Sequence, residues 1–226
     1  MGAIRGFINK NDQADSLVKE QNAHLDSLSE MANIKVNLFK EIITDRLINA
    51  GTGTDKTVPI TQIQDFISET HAYTSQNADK IAGAVENAIN GIINGGKENI
   101  NNAISGLVTA AITGLFGSQE SSDMTFDKYY VAVEGISIIR LDLMGWKRAI
   151  TASSLSERVE QVSAFVMAKS TVDIMKTDFN TFLDLYQNLV LSENPDAKTK
   201  DIITDAKQIF DMFKSNEKNM NVRFLS

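Results

Sequence analysis

A chain of 226 residues, 42% hydrophobic and 23% charged, is long enough to bury a sizeable core and is composed like an ordinary folded domain, which excludes disorder of the whole chain. A net charge of −7 lacks the basic footprint of a nucleic-acid binder. The absence of cysteine removes disulfides, thiolate metal sites and cysteine nucleophiles together.

The first residues, MGAIRGFINKND, hold an apolar run too short for the core of a secretory signal peptide, and Gly6 stands where a myristoylation signal needs Ser or Thr. From residue 12 to 49 the chain is polar except for Leu25, Leu28, Ala32, Phe39 and Ile43, which share one helical face, and AGTGT follows as a stop. This spacing predicts a long first helix. Pro59 to Thr61 read as the start of a second helix with Ile63, Phe66 and Ile67 inward and His71 and Tyr73 in its polar section. The segment 60–117 is therefore expected to be a helix continued by a glycine-rich apolar stretch.

That stretch begins at Ile81, where the composition turns to Ala, Gly, Ile and Asn, and residues 99–119 contain no charge. Gly106, Ala110 and Gly114 lie four apart, a spacing that lets helix backbones approach closely. Ile104, Leu107, Val108, Ile112, Leu115 and Phe116 supply apolar faces, while Asn87, Asn90, Asn94, Asn101, Ser105, Thr109 and Thr113 fall along one polar stripe. Asn94–Gly96 marks either a turn between two helices or a weak point in one. Ile100 to Gly117 reaches roughly 18 residues, at the margin of the length that spans a bilayer.

Residues 126–150, FDKYYVAVEGISIIRLDLMGWKRAI, are apolar on nearly all sides, and periodicity does not separate a buried helix from a pair of strands there. Their length favours a helix. Within residues 155–191, Phe165, Ala168, Val172, Met175, Phe179, Phe182, Tyr186 and Leu189 alternate three and four apart, a heptad-type seam. Asn194 and Pro195 read as a cap and first turn of a last helix over 195–219, with Ile202, Ala206, Ile209 and Phe213 buried.

Local motifs for chemistry are weak. GIINGGK, residues 91–97, matches a phosphate-binding loop up to its lysine, but Glu98 replaces the required Ser or Thr and the preceding residues are helical in period. His24 and His71 have no metal-ligand spacing, and GISII at 135–139 is not a nucleophile elbow. Glu134, Arg140 and Asp142 lie in an apolar segment and read as a structural ion pair. Trp146, beside Lys147 and Arg148, suits either a core or a membrane interface.

The expected fold is all-α: a single helical domain over 1–226, an elongated multi-helix bundle with long amphipathic helices and a central glycine/alanine-rich apolar helix or helical hairpin. Long amphipathic helices flanking an apolar, glycine-rich stretch in a cysteine-free chain resemble, in the order of segments only, the α-helical pore-forming toxins of the cytolysin A class. The resemblance implies a protein that is soluble first and then inserts or oligomerises through 81–117. The alternative is a structural, self-assembling protein that uses the same segment as a subunit interface. Both readings expect no catalytic residue, metal or cofactor and a homo-oligomer, with a lipid membrane as a further partner in the first and nucleic acid in neither.

Overall fold

The computed structural model describes residues 2–52, 57–73, 78–92, 98–117, 123–134, 137–149 and 161–224. A long first helix forms, starting ten residues before the expected 12–49: α1 (Gly2–Asn49) buries Ala32, Val36, Phe39, Ile43 and Leu47 along one face. Gly51 ends it with a φ of 74°, a left-handed conformation that suits glycine after a helix. At about 1.5 Å per residue α1 is roughly 72 Å long.

The middle of the chain is a sheet, so the all-α bundle is overturned. Strands β1 (Ile60–Tyr73), β2 (Asp123–Glu134), β3 (Ser137–Ala149) and β4 (Gln161–Val172) form an antiparallel sheet in the order β1-β4-β3-β2. Helices α2 (Ala78–Ile92) and α3 (Glu98–Gly117) pack against each other across one face, and α1 crosses the other. Helices α4 (Phe179–Glu193) and α5 (Thr199–Phe224) pair at one end. The Asn94–Gly96 turn lies outside the described residues.

Burial on both faces explains why strands read as helices. A half-buried strand alternates apolar and polar residues, whereas β3 and β4 meet helices above and below and are buried almost without interruption. Trp146 and Met144 face α1 with Val162, Ala164, Val166 and Ala168, while Ile139, Leu141 and Leu143 face α2 and α3 with Phe165 and Met167. The heptad-type seam fails on the same geometry. Phe165 and Ala168, three apart, fall on opposite faces of β4, and only Phe179, Phe182, Tyr186 and Leu189 belong to a helix.

In β1, Ile63 and Phe66 face α1 and Ile67 faces the α2–α3 layer, with register shifts between Ile60 and Gln62 and between Ile63 and Asp65. Those irregularities blur the two-residue period that would have marked a strand. Asn194 ends α4 rather than starting a helix: its N–H donates to Val190 O at 2.9 Å, a turn follows, and α5 begins at Thr199. The buried face of α5 was read correctly, with Ile202, Ala206 and Phe213 buried and Ile209 half-buried.

Gly145 joins β2 to the helices. It lies opposite Phe126, and a Cβ placed on it would come within 2.2 Å of Phe126 Cε1 and 2.8 Å of Leu115 Cδ2. The aromatic ring occupies the space a side chain would need. Gly145→Ala should therefore cost about 1–3 kcal/mol of overpacking. An unchanged urea midpoint would show that the ring does not press on this glycine.

Candidate functional site

Helical spacing sorts α2 and α3 into two unlike faces. Val85 and Ile89 of α2 and Val108, Ile112 and Leu115 of α3 recur three or four apart and are buried against the sheet. Gly106, Ala110 and Gly114 consequently point outward and are exposed. A Cβ built on Gly106 or Gly114 meets nothing within 4 Å, so this ridge is not used for packing inside the chain. Leu107 is half-buried, and the side chains of Ile104 and Phe116 lie outside the described residues.

The polar stripe is divided in the same way. Asn87 and Thr113 are exposed and Thr109 is half-buried, so this stripe faces outward or along the layer rather than into an enclosed lumen. Asn94 and the side chains of Asn90, Asn101 and Ser105 lie outside the described residues. Ala84, Asn87 and Gly91 of α2 join Gly106, Ala110, Thr113 and Gly114 of α3 to form an outer face. Lys80 continues the stripe at the N-terminal end of α2 and is exposed; the other described exposed residues on this face are small and uncharged.

No described helix is long and apolar enough to cross a membrane, so no described segment supplies the spanning helix that the α-helical pore-forming reading expects. The physical reason lies in the sequence of α3 itself: glycine, threonine and alanine fill the face opposite Val108, Ile112 and Leu115. Trp146 is a core residue, 1% exposed, and not a membrane anchor. Its indole N–H donates to Asp123 Oδ1 at 2.7 Å and the ammonium of Lys35 lies 5.3 Å from its ring.

On the α1 side of the sheet, the two-residue strand period brings Arg140 and Asp142 together. Arg140 donates Nε to Asp142 Oδ2 at 2.7 Å and Nη2 to Oδ1 at 2.8 Å, and Nη1 reaches Val58 O at 2.7 Å. Both residues have no exposed surface. Arg46 of α1 binds Asp127 of β2 through both carboxylate oxygens and lies 3.6 Å from Asp142, while Tyr129 stacks 4.3 Å from the Arg140 guanidinium. Burial pushes the Asp142 carboxyl above its ordinary pKa against the opposing pull of Arg140 and Arg46. Glu134 belongs elsewhere, paired with Lys169 at 2.7 Å.

A second polar group forms on the opposite face through strand register alone. His71 of β1, Ser163 of β4 and Lys147 of β3 stand in one row across the sheet, and His71 Nε2 lies 2.8 Å from Glu69 Oε2. A hydroxyl beside an imidazole that contacts a carboxylate has the residue types of nucleophilic catalysis. Ser163, however, has no exposed surface and its Oγ makes no hydrogen bond, so it is not presented to a substrate. Burial also lowers the pKa of Lys147. The row is a polar layer inside the sheet, and sequence reading missed it because only pairing joins positions 71, 147 and 163. The side chain of His24 lies outside the described residues.

Compared with known proteins, the chain matches no family model and no curated protein sequence. The phosphate-loop resemblance also lacks its context. Gly91 and Ile92 close α2, so a helix stands where a strand is needed, and residues 93–97 lie outside the described residues.

Proposed function

We propose that the protein is a non-enzymatic, self-assembling α/β protein whose α2–α3 layer is the contact between copies. The observation that carries this reading is the outer face of that layer, whose described exposed residues from Ala84 to Gly91 and from Gly106 to Gly114 are small and uncharged, with open space over Gly106 and Gly114 and Lys80 at its end. A second helix layer can approach such a face to backbone distance, gaining dispersion and weak Cα–H···O contacts that bulkier residues would prevent. Charged surface helices repel or require pairing. Among the described residues of this face, only Lys80, at its end, carries a charge.

A role in lipid is less well supported, because Val108, Ile112 and Leu115 would have to leave the sheet to meet hydrocarbon. Self-assembly needs no such rearrangement. Light scattering coupled to gel filtration should give a mass above 24.9 kDa for the wild type. A Gly106→Leu/Gly114→Leu double variant should return to the monomer mass. The fold should remain intact, because replacing helical glycine favours the helix by up to about 1 kcal/mol per site and neither new side chain meets the chain's own atoms at Cβ. A wild-type monomer at every concentration tested sinks the proposal, and release of dye from liposomes by the wild type would replace it with a membrane role.

A further inference from the structure

At the edge of the sheet, a cavity of about 280 Å³ opens between α3, β2 and α4. Leu107, Leu185 and Leu189 provide apolar walls, and Lys128, Tyr130 and Asn188 line the same space. Among the described residues, Lys128 has no ion pair, and neither the Tyr130 hydroxyl nor the Asn188 amide has a hydrogen-bond partner. Lys128 and Asn188 are exposed, whereas Tyr130 is half-buried. Burial raises the Tyr130 phenol pKa, with no compensating bond.

The surrounding charges leave the Lys128 ammonium available. Asp127, its neighbour in sequence, faces the other side of the sheet and is held by Arg46. Asp142, also on that other side, is held by Arg140. An ammonium, a phenol and an amide all supply donors, and three leucines supply a surface that wants hydrocarbon. The cavity lies just below the usual range for small-molecule sites, roughly 300–1,000 Å³, and has the same plan of apolar walls with a few converging polar groups.

We propose that this cavity binds a small organic anion with an apolar body, in class a medium-chain monocarboxylate. Its carboxylate accepts hydrogen bonds from Lys128 and Tyr130, and its chain lies against Leu107, Leu185 and Leu189. A single cation matches a single negative charge, which favours a carboxylate over a polyanionic phosphate ester. Hydrogen bonds between ionised partners are about twice as strong as neutral ones, so charge should set the affinity.

Octanoate is the probe, titrated calorimetrically into the full chain beside octanol, which has the same chain length and no charge. Octanoate should bind saturably, one per chain, and octanol about tenfold more weakly, as expected for loss of one charge-assisted contact. Lys128→Gln should weaken octanoate about tenfold and leave octanol unchanged, since only the charge-assisted contact is lost. Tyr130→Phe should cause a smaller loss, and Leu185→Trp, which fills the cavity, should abolish binding of both. Absence of saturable octanoate binding overturns the inference. So does equal binding of octanol, or a Lys128→Gln variant that binds octanoate like the wild type.

Discussion

Replacing Arg140 with methionine should destabilise the fold by about 3–5 kcal/mol at neutral pH, the range expected when one member of a buried ion pair is removed. The substitution keeps much of the side-chain volume and removes the charge. Among the described residues, Asp142 then keeps only Arg46, 3.6 Å away, as a cationic partner, and Val58 O loses the Arg140 donor. Tyr129 also loses the guanidinium over its ring. Urea unfolding of the wild type and the variant measures the difference, and a loss under about 1 kcal/mol would place the pair among surface ion pairs in strength. A companion Arg140→Met/Asp142→Leu variant should recover most of the stability, because exchanging both charges for packed apolar groups avoids an uncompensated ion.

The pH dependence of that loss separates charge from packing. Asp142 already has a folded-state pKa raised by burial, and removal of its principal cationic partner raises it further. A carboxyl with a raised folded pKa binds its proton more tightly in the native state than in the unfolded chain. Its contribution is fully present below the ordinary carboxylate value, near 3.9, and is lost as pH rises through the raised folded value. The Arg140→Met deficit should therefore be largest at neutral pH and shrink on acidification. In the Arg140→Met/Asp142→Asn background that trend should disappear.

The ion pair also shows how far the sequence could be read. Arg140 and Asp142 were recognisable as buried partners because charges inside an apolar run need compensation, whatever the backbone does. Arg46 and Asp127 were not, since 81 positions separate them and only the packing of α1 on the sheet joins them. The same division holds for the fold. One-sided burial left a readable signature in α1 and α5, whereas β3 and β4, covered on both faces, lost the alternation that distinguishes a strand from a buried helix. The apolar character of 126–150 was legible, but its conformation was settled by helices lying above and below it.

For the candidate interface, the order of small residues in α3 was legible and its direction was not. The spacing of Gly106, Ala110 and Gly114 marks a face, but a sheet contact and an outward ridge produce the same spacing. Val108, Ile112 and Leu115 decide the matter by being larger. Burying them removes more apolar surface from water than burying glycine and alanine, so the helix turns them to the sheet and leaves the ridge outside.

Truncating Phe39 to alanine should cost about 3–5 kcal/mol, while truncating Ile34 on the same helix should change stability by no more than about 0.5 kcal/mol. Phe39 is 2% exposed, in a cluster with Ile43, Trp146, Val166 and Ala168, so its removal leaves a cavity between α1 and the sheet. Ile34, 60% exposed, loses only surface contacts. The two positions differ by five residues, or about 140° around a helix at 3.6 residues per turn, so the contrast tests which way α1 is turned. Equal losses at the two sites in urea unfolding would refute the docking of α1 through its Ala32–Leu47 face. Trp146 provides a second readout, because a cavity beside this enclosed indole should admit solvent and shift its fluorescence to longer wavelength in Phe39→Ala but not in Ile34→Ala. Paired with that spectral shift, the stability loss would locate the damage at the seam between α1 and β3.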